Sequence, residues 1–117
     1  MSFKGIFLVV LIVLQIAGNK VTNKSKKFFE MSNQEIDSLL TEISQKGLSI
    51  SERINFYSEK FLGTPYKFQC VGDGPYALIE NWPLVNFKET NCMSLCEHVL
   101  AMAISDSWDN FFNNLLQ

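Results

Sequence analysis

Hydrophobic and polar positions alternate at helical spacing in residues 32–47. Apolar side chains recur three and four residues apart, which places them on one face of a helix: Ile36, Leu39, Leu40 and Ile43. Ser32 and Glu35 fit a capping box at the start of this run, and Gly47 ends it. The pattern predicts a helix with one face packed inward.

Two further stretches predict helices in the same way. A second capping box, Ser49 with Glu52, opens a helix that runs to about Leu62, with an apolar stripe of Ile50, Ile54, Tyr57 and Phe61. Residues 105–107 can cap a last helix, with Trp108, Phe111, Phe112 and Leu115 on one side. Between these helices, residues 63–66 and 72–75 have turn compositions, and residues 76–80 and 84–87 are interpreted as short strands.

Residues 90–103 predict a buried helix with a cysteine in its first turn. Thr90 or Asn91 can serve as the N-cap. The positive end of the helix dipole favours a thiolate at Cys92. At about 100° per residue, the inward face lies within about 60° of Cys92; it consists of Leu95, Cys96, Val99 and Ala103. The thiol is then expected at the open end of that face, where a nucleophile can meet a cleft.

The other thiols and the histidine receive different interpretations. Cys70 and Cys96 have no capping context and are predicted to be core residues, an alternative that stays open for Cys92 as well. His98 lies six residues beyond Cys92, a rotation of about 600° and a rise of about 9 Å along a helix. It therefore cannot act as the base for Cys92, and we expect it at the surface or at an interface.

The composition excludes several classes of function. Residues 1–27 carry five Lys and no acid, whereas residues 28–117 carry twelve acids against five bases, which argues against nucleic-acid binding. Three cysteines cannot all pair, so the chain is not a disulfide scaffold. Cys92 and Cys96 lie one turn apart, but no His or Asp within the helix joins them and Cys70 fits no zinc spacing, so neither a metal nor a cofactor is predicted.

Residues 1–18 have the form of a secretory signal. Lys4 precedes an apolar run over residues 5–17, which is shorter than the about 20 residues of a membrane span, and small residues end it. We therefore expect export to the periplasm or the extracellular space. The lysines of the basic linker at residues 19–31 oppose export, so an uncleaved membrane anchor remains the alternative.

Two motifs together resemble a known family. The sequence Phe-Leu-Gly-Thr-Pro-Tyr at residues 61–66 is followed by Leu-Val-Asn-Phe at residues 84–87 and by Asn-Cys-Met-Ser-Leu-Cys-Glu at residues 91–97. This order resembles the N-acetylmuramoyl-L-alanine amidase-like family among the NlpC-type papain-fold cysteine hydrolases. The resemblance covers residues 33–117 and implies an α+β papain-like domain over residues 32–117.

The resemblance also implies a chemistry. Cys92 takes the place of the catalytic nucleophile, and Tyr66 that of a tyrosine lining the substrate cleft. Glu97 matches a motif position without an assigned role. The implied substrate is a peptidoglycan peptide or muropeptide, cleaved at an amide bond.

Departures from the family pattern change what is expected of this chain. Asn91 replaces the usual Asp, and Met93 with Ser94 replaces two threonines. The family's base histidine lies on strands after the cysteine helix, and His98 is not that residue. We therefore expect a domain truncated after the cysteine helix, mostly helical and inactive alone. The alternative is a non-enzymatic exported helical module that binds a partner.

Overall fold

The computed structural model describes residues 26–72, 79 and 82–117. This part of the chain contains a 3-10 turn, Phe28–Glu30, and four α-helices: α1, Asn33–Ser44; α2, Ile50–Phe61; α3, Cys92–Ala103; and α4, Trp108–Leu115. Helix α3 packs against both α2 and α4, and α4 also contacts α1. All four predicted helices are confirmed, and the cysteine helix α3 lies between two of the others.

Each helix begins at a polar side chain that accepts a hydrogen bond from a backbone amide of its first turn. These N-caps are Ser32, Ser49, Asn91 and Ser107. Both predicted capping boxes form, since the Glu35 and Glu52 carboxylates each accept from the amide of their N-cap serine at 2.8 Å. Of the two candidate caps for α3, the structure uses Asn91.

Phe28 lies in the middle of an aromatic core. Its ring is fully buried, with its centroid 4.8 Å from that of Phe61 and 5.1 Å from that of Phe87. Phe111 of α4 also packs against Phe87, with 5.8 Å between the ring centroids. The end of the segment interpreted as a basic linker therefore contributes a central side chain to the core.

Residues 26–31, which we call the N-terminal strap, are held against the helices by lysines. The Lys60 ammonium donates to the carbonyl of Lys26 at 2.9 Å. The Lys88 ammonium donates to the carbonyl of Phe29 at 2.5 Å. Burial lowers the pKa of Lys60, with a further lowering by the nearby Lys27 charge. The strap is thus fixed both by its aromatic side chain and by its backbone carbonyls.

The predicted α+β papain-like fold is wrong for the part of the chain that the structure describes, which is helical and has no strand. Its only β-type pairing is an isolated parallel bridge between Tyr66 and Thr90. Most of the predicted strand at residues 76–80 lies outside the described residues. The predicted strand at residues 84–87 is irregular. The Asn86 N–H donates to the His98 ring rather than to a neighbouring strand, and the Asn86 side chain accepts from the amide of Lys88, just beyond this segment.

Helix α3 buries a face about a quarter of a turn away from the predicted one. The buried residues are Ser94, His98, Val99, Ala101, Met102 and Ala103. Cys96 is exposed, so its prediction as a core residue is wrong, whereas Cys70 is buried as predicted. Cys92 is also exposed, which contradicts its alternative interpretation as a core residue. Because α3 is apolar on nearly every side, its hydrophobic spacing alone does not fix the buried direction.

The predicted signal at residues 1–18 lies outside the described residues. Among the residues that are described, no helix has the length and apolar character needed to cross a membrane.

The core arrangement predicts a large effect for Phe28→Ala. Removing a ring that is 0% exposed should lower the free energy of unfolding by about 3–5 kcal/mol. Urea denaturation followed by far-UV circular dichroism measures this. Phe68→Ala is the matched control, because Phe68 is 81% exposed and its loss should change stability by no more than about 0.5 kcal/mol. Equal midpoints for the two variants would contradict the central position of Phe28.

Candidate active site around Cys92

The two motifs that carry the family resemblance meet in space. Gly63 follows α2 at φ 88°, a backbone conformation that favours glycine, and the Thr64 amide donates back to the Phe61 carbonyl at 3.0 Å. The chain then runs beside the residue that precedes the N-cap of α3. Thr90 N–H donates to the Pro65 carbonyl at 2.9 Å, and Thr90 accepts from Lys67 N–H at 3.0 Å. The turn at residues 63–66 thus lies directly beside the start of the cysteine helix.

Asn91 fixes the first turn of α3 from both ends of its amide group. Its Oδ1 accepts from the Ser94 amide at 2.9 Å, and its Nδ2 donates to the Phe68 carbonyl at 2.8 Å. Ser94 Oγ in turn accepts from the backbone N–H of Asn91 at 3.0 Å. Cys92 is the first residue of this capped helix, and its thiol is free and exposed. The sulfur is therefore presented to solvent at the positive end of α3.

A buried polar cluster lies under this turn. Ser94 Oγ, 1% exposed, lies 3.3 Å from Cys70 Sγ and 3.1 Å from Thr90 Oγ1. Cys70 is thus a core residue with a polar partner. The cluster connects the segment after the turn to the helix that carries Cys92.

Asn86 is a residue of this region that no sequence pattern indicated in advance. Its Nδ2 donates to the Cys70 carbonyl at 2.9 Å, and its Oδ1 accepts from the amides of Lys88 at 2.9 Å and Glu89 at 3.0 Å. The side chain of an Asn in a loop often binds the backbone two or three residues later. The position of Asn86 in the loop before α3 could therefore have indicated such a turn. Asn86 holds together the two segments that flank the start of α3.

His98 is buried rather than at the surface, so that prediction is wrong. Its ring is 1% exposed and lies 5.3 Å from Phe87 and 5.9 Å from Phe111 between centroids. Its Nε2 accepts from Asn86 N–H at 3.2 Å, while Nδ1 forms no hydrogen bond of normal geometry. Burial lowers the pKa of His98 to about 4, with the Ser94 backbone acting in the opposite direction. His98 is a neutral structural residue that turns away from the thiol.

Aromatic side chains are exposed at the same end of the molecule as Cys92. Tyr66 is 70% exposed and lies on the segment bridged to Thr90. Lys67 forms a salt bridge with Glu89 at 3.1 Å, and its ammonium lies 5.2 Å from the centroid of the Trp82 ring. The surface beside the thiol is therefore aromatic with paired charges.

Within the described part of the chain, no three His, Cys, Asp or Glu side chains are grouped so that they could hold a metal ion. Glu97, the motif carboxylate without an assigned role, is exposed on α3 and faces solvent.

The burial of His98 predicts a pH-dependent stability. The unfolded chain takes up a proton near pH 6.5, whereas folded His98 takes it up only near pH 4. The free energy of unfolding therefore falls as the pH is lowered through this range, by about 3 kcal/mol in all, and is restored above it. Urea denaturation of the wild type at pH 7 and at pH 5 measures the loss.

His98→Gln is the matched variant for this measurement, because the glutamine oxygen can accept from Asn86 without titrating. The variant should lose less stability than the wild type between pH 7 and pH 5. Glu35 and Glu52 do not confuse the comparison, since Lys26 and Ser49 respectively lower the pKa of each carboxyl below 4.5. Parallel pH profiles for the two proteins would show that His98 is not the titrating group.

Comparison with known proteins gives one result. Neither the curated proteins nor the solved structures contain a match to this chain. The sequence model of a family described as AmiA-like, N-acetylmuramoyl-L-alanine amidase-like, matches residues 56–117, which include the turn at residues 63–66 and the whole of α3 and α4. The chain belongs to the N-acetylmuramoyl-L-alanine amidase-like family.

Proposed function

We propose that this chain is an exported cell-wall amidase-like protein that presents Cys92 as the nucleophile for an amide of peptidoglycan. One observation carries the proposal: the exposed Cys92 thiol is the first residue of a capped helix and lies beside the motif turn, inside the region matched by the amidase-like family. In this proposal Tyr66, which is exposed on the segment bridged to Thr90, contacts a muropeptide bound over the thiol.

The reaction is amide hydrolysis through a thioester. The thiolate of Cys92 attacks the carbonyl carbon, the C–N bond breaks, and the amine leaves with a proton supplied by a general acid. Water, deprotonated by the same group acting as base, then releases the acid and restores the thiol. Both steps require a group that exchanges protons near neutral pH.

His98 cannot be that group. It is the single histidine of the sequence, it is buried, and its Nε2 accepts from the Asn86 backbone. The start of a helix stabilises a negative charge by about 0.3–1 kcal/mol, or up to about 2 kcal/mol when partly buried. General acid–base catalysis contributes about 10²–10⁴-fold, which is about 3–5 kcal/mol, so the helix does not replace it. His98 therefore does not supply the proton exchange that these two steps require.

We therefore expect little or no amide hydrolysis by this chain alone, together with a reactive Cys92. The rate of iodoacetamide labelling at pH 7, followed by peptide mass spectrometry, should be about two- to fivefold higher at Cys92 than at Cys96, because the start of a helix stabilises an exposed negative charge by about 0.3–1 kcal/mol. Cys96 is the matched control, since it is exposed on the same helix but lies beyond its first turn.

Two results would contradict the proposal in different ways. Release of peptide from muropeptides by the wild type, abolished in Cys92→Ser, would show that a base is present in this chain. Equal labelling rates at Cys92 and Cys96 would remove the evidence for a nucleophile.

Equal labelling would favour the second candidate, a non-enzymatic binding module. The observation in its favour is an exposed apolar row along α3, in which Met93, Leu100 and Ile104 are each more than half exposed. A surface of this kind is typical of a partner contact.

A further inference from the structure

Three sulfur-bearing side chains lie together on the exposed side of the first turns of α3. Cys92 and Cys96 are free, exposed thiols, and Met93 is 66% exposed. We call these three residues the sulfur cluster. The exposure of Met93 is unusual, because methionine is most often buried. The remaining thiol, Cys70, is buried against Ser94 on the other side of the helix and does not belong to the cluster.

Helical geometry brings the sulfur of Cys96 within reach of the sulfur atoms of both Cys92 and Met93. Cys92 and Cys96 are four residues apart and Met93 and Cys96 are three apart, the two spacings at which helix neighbours lie about 5–6 Å apart between Cβ atoms. At about 100° per residue, the three side chains span an arc of about 100°. Around the helix axis, Cys96 points between Cys92 and Met93. Its sulfur can therefore share a ligand with the sulfur of either residue.

This separation disfavours a disulfide but suits an ion. A disulfide needs Cβ atoms about 3.5–4.5 Å apart, which is shorter than the helical spacing of Cys92 and Cys96. A bridging ion adds two metal–sulfur bonds, each about 2.3 Å when the metal is zinc, and so spans the larger gap without unwinding the helix. The cluster can therefore chelate while α3 stays intact.

The donor set selects a soft ion. Two thiolates and one thioether favour Cu(I), whereas zinc in structural sites takes four ligands. Within the described residues, no third His, Cys, Asp or Glu joins the two thiols to build such a site. We propose that Cys92, Met93 and Cys96 form a binding site for one Cu(I) ion.

Binding is an exchange of protons for the metal ion, with no change of oxidation state. Each thiol loses its proton to solvent as its S–Cu bond forms, so two protons are released for each ion bound. Met93 contributes a lone pair and releases no proton. If Cys92 is the nucleophile proposed above, a bound ion occupies the same sulfur and blocks amide attack, but metal binding itself does not depend on that role.

The test is an anaerobic titration of the full, reduced chain with Cu(I) in competition with bicinchoninate, whose Cu(I) complex is coloured. We expect one ion per chain, with two protons released in weakly buffered solution. Cys92→Ser and Cys96→Ser should each weaken binding by on the order of 100-fold, since loss of even an outer-sphere partner costs about 10–100-fold. Met93→Leu should weaken binding by a smaller factor, because the two thiolates remain.

Cys70→Ser is the control and should bind as the wild type does. Circular dichroism of the four variants checks that each keeps its helix content. The three cluster residues are exposed, so their substitution should leave the fold intact. Wild-type affinity in both Cys92→Ser and Cys96→Ser would overturn the proposal, as would a Cys92–Cys96 disulfide formed by mild oxidation without loss of helix content.

The metal-free labelling rates keep this inference separate from the proposed function. A fast Cys92 with no Cu(I) binding would refute the metal site alone. Cu(I) binding with equal labelling of Cys92 and Cys96 would support the metal site and refute the nucleophile.

Discussion

The hydrogen bond from the Asn86 amide to His98 Nε2, together with the packing of α3 against α2 and α4, fixes which side of α3 faces the core. It joins the irregular segment before α3 to the buried side of α3, inside a shell of aromatic rings. The bond requires a neutral imidazole, and burial provides this by lowering the pKa of His98 to about 4. With His98 facing inward, the residues on the opposite side of α3 face solvent. The exposure of Cys92, Met93 and Cys96 is therefore a consequence of where His98 is buried.

Local signals predicted the helices well. A capping box is a contact within four residues. The start of a helix at Ser32 and at Ser49 can therefore be predicted from the local sequence alone. The same reasoning placed Cys92 in the first turn of α3. The contact between the turn at residues 63–66 and Thr90 was not predicted, because it joins residues far apart in sequence.

The errors have a common physical origin. Helix α3 is apolar on nearly every side, so periodicity could not decide whether Cys96 or His98 faces the core. Packing against α2 and α4 decides it, together with the acceptor that the Asn86 amide requires. The mostly apolar residues 84–87 resemble a strand, but the amide of Asn86 donates to the His98 ring rather than to a neighbouring strand. Such choices depend on tertiary partners and not on local preference.

The N-terminal strap limits how far the chain can be trimmed by proteolysis. Phe28 fills the centre of the core, and the carbonyls of Lys26 and Phe29 accept from lysines that belong to later parts of the chain. A protease that cut between residues 28 and 31 would detach the Phe28 ring from the rest of the fold and separate the buried Lys60 ammonium from the Lys26 carbonyl. Cleavage compatible with a folded product is therefore confined, at this end of the molecule, to peptide bonds that precede Lys26.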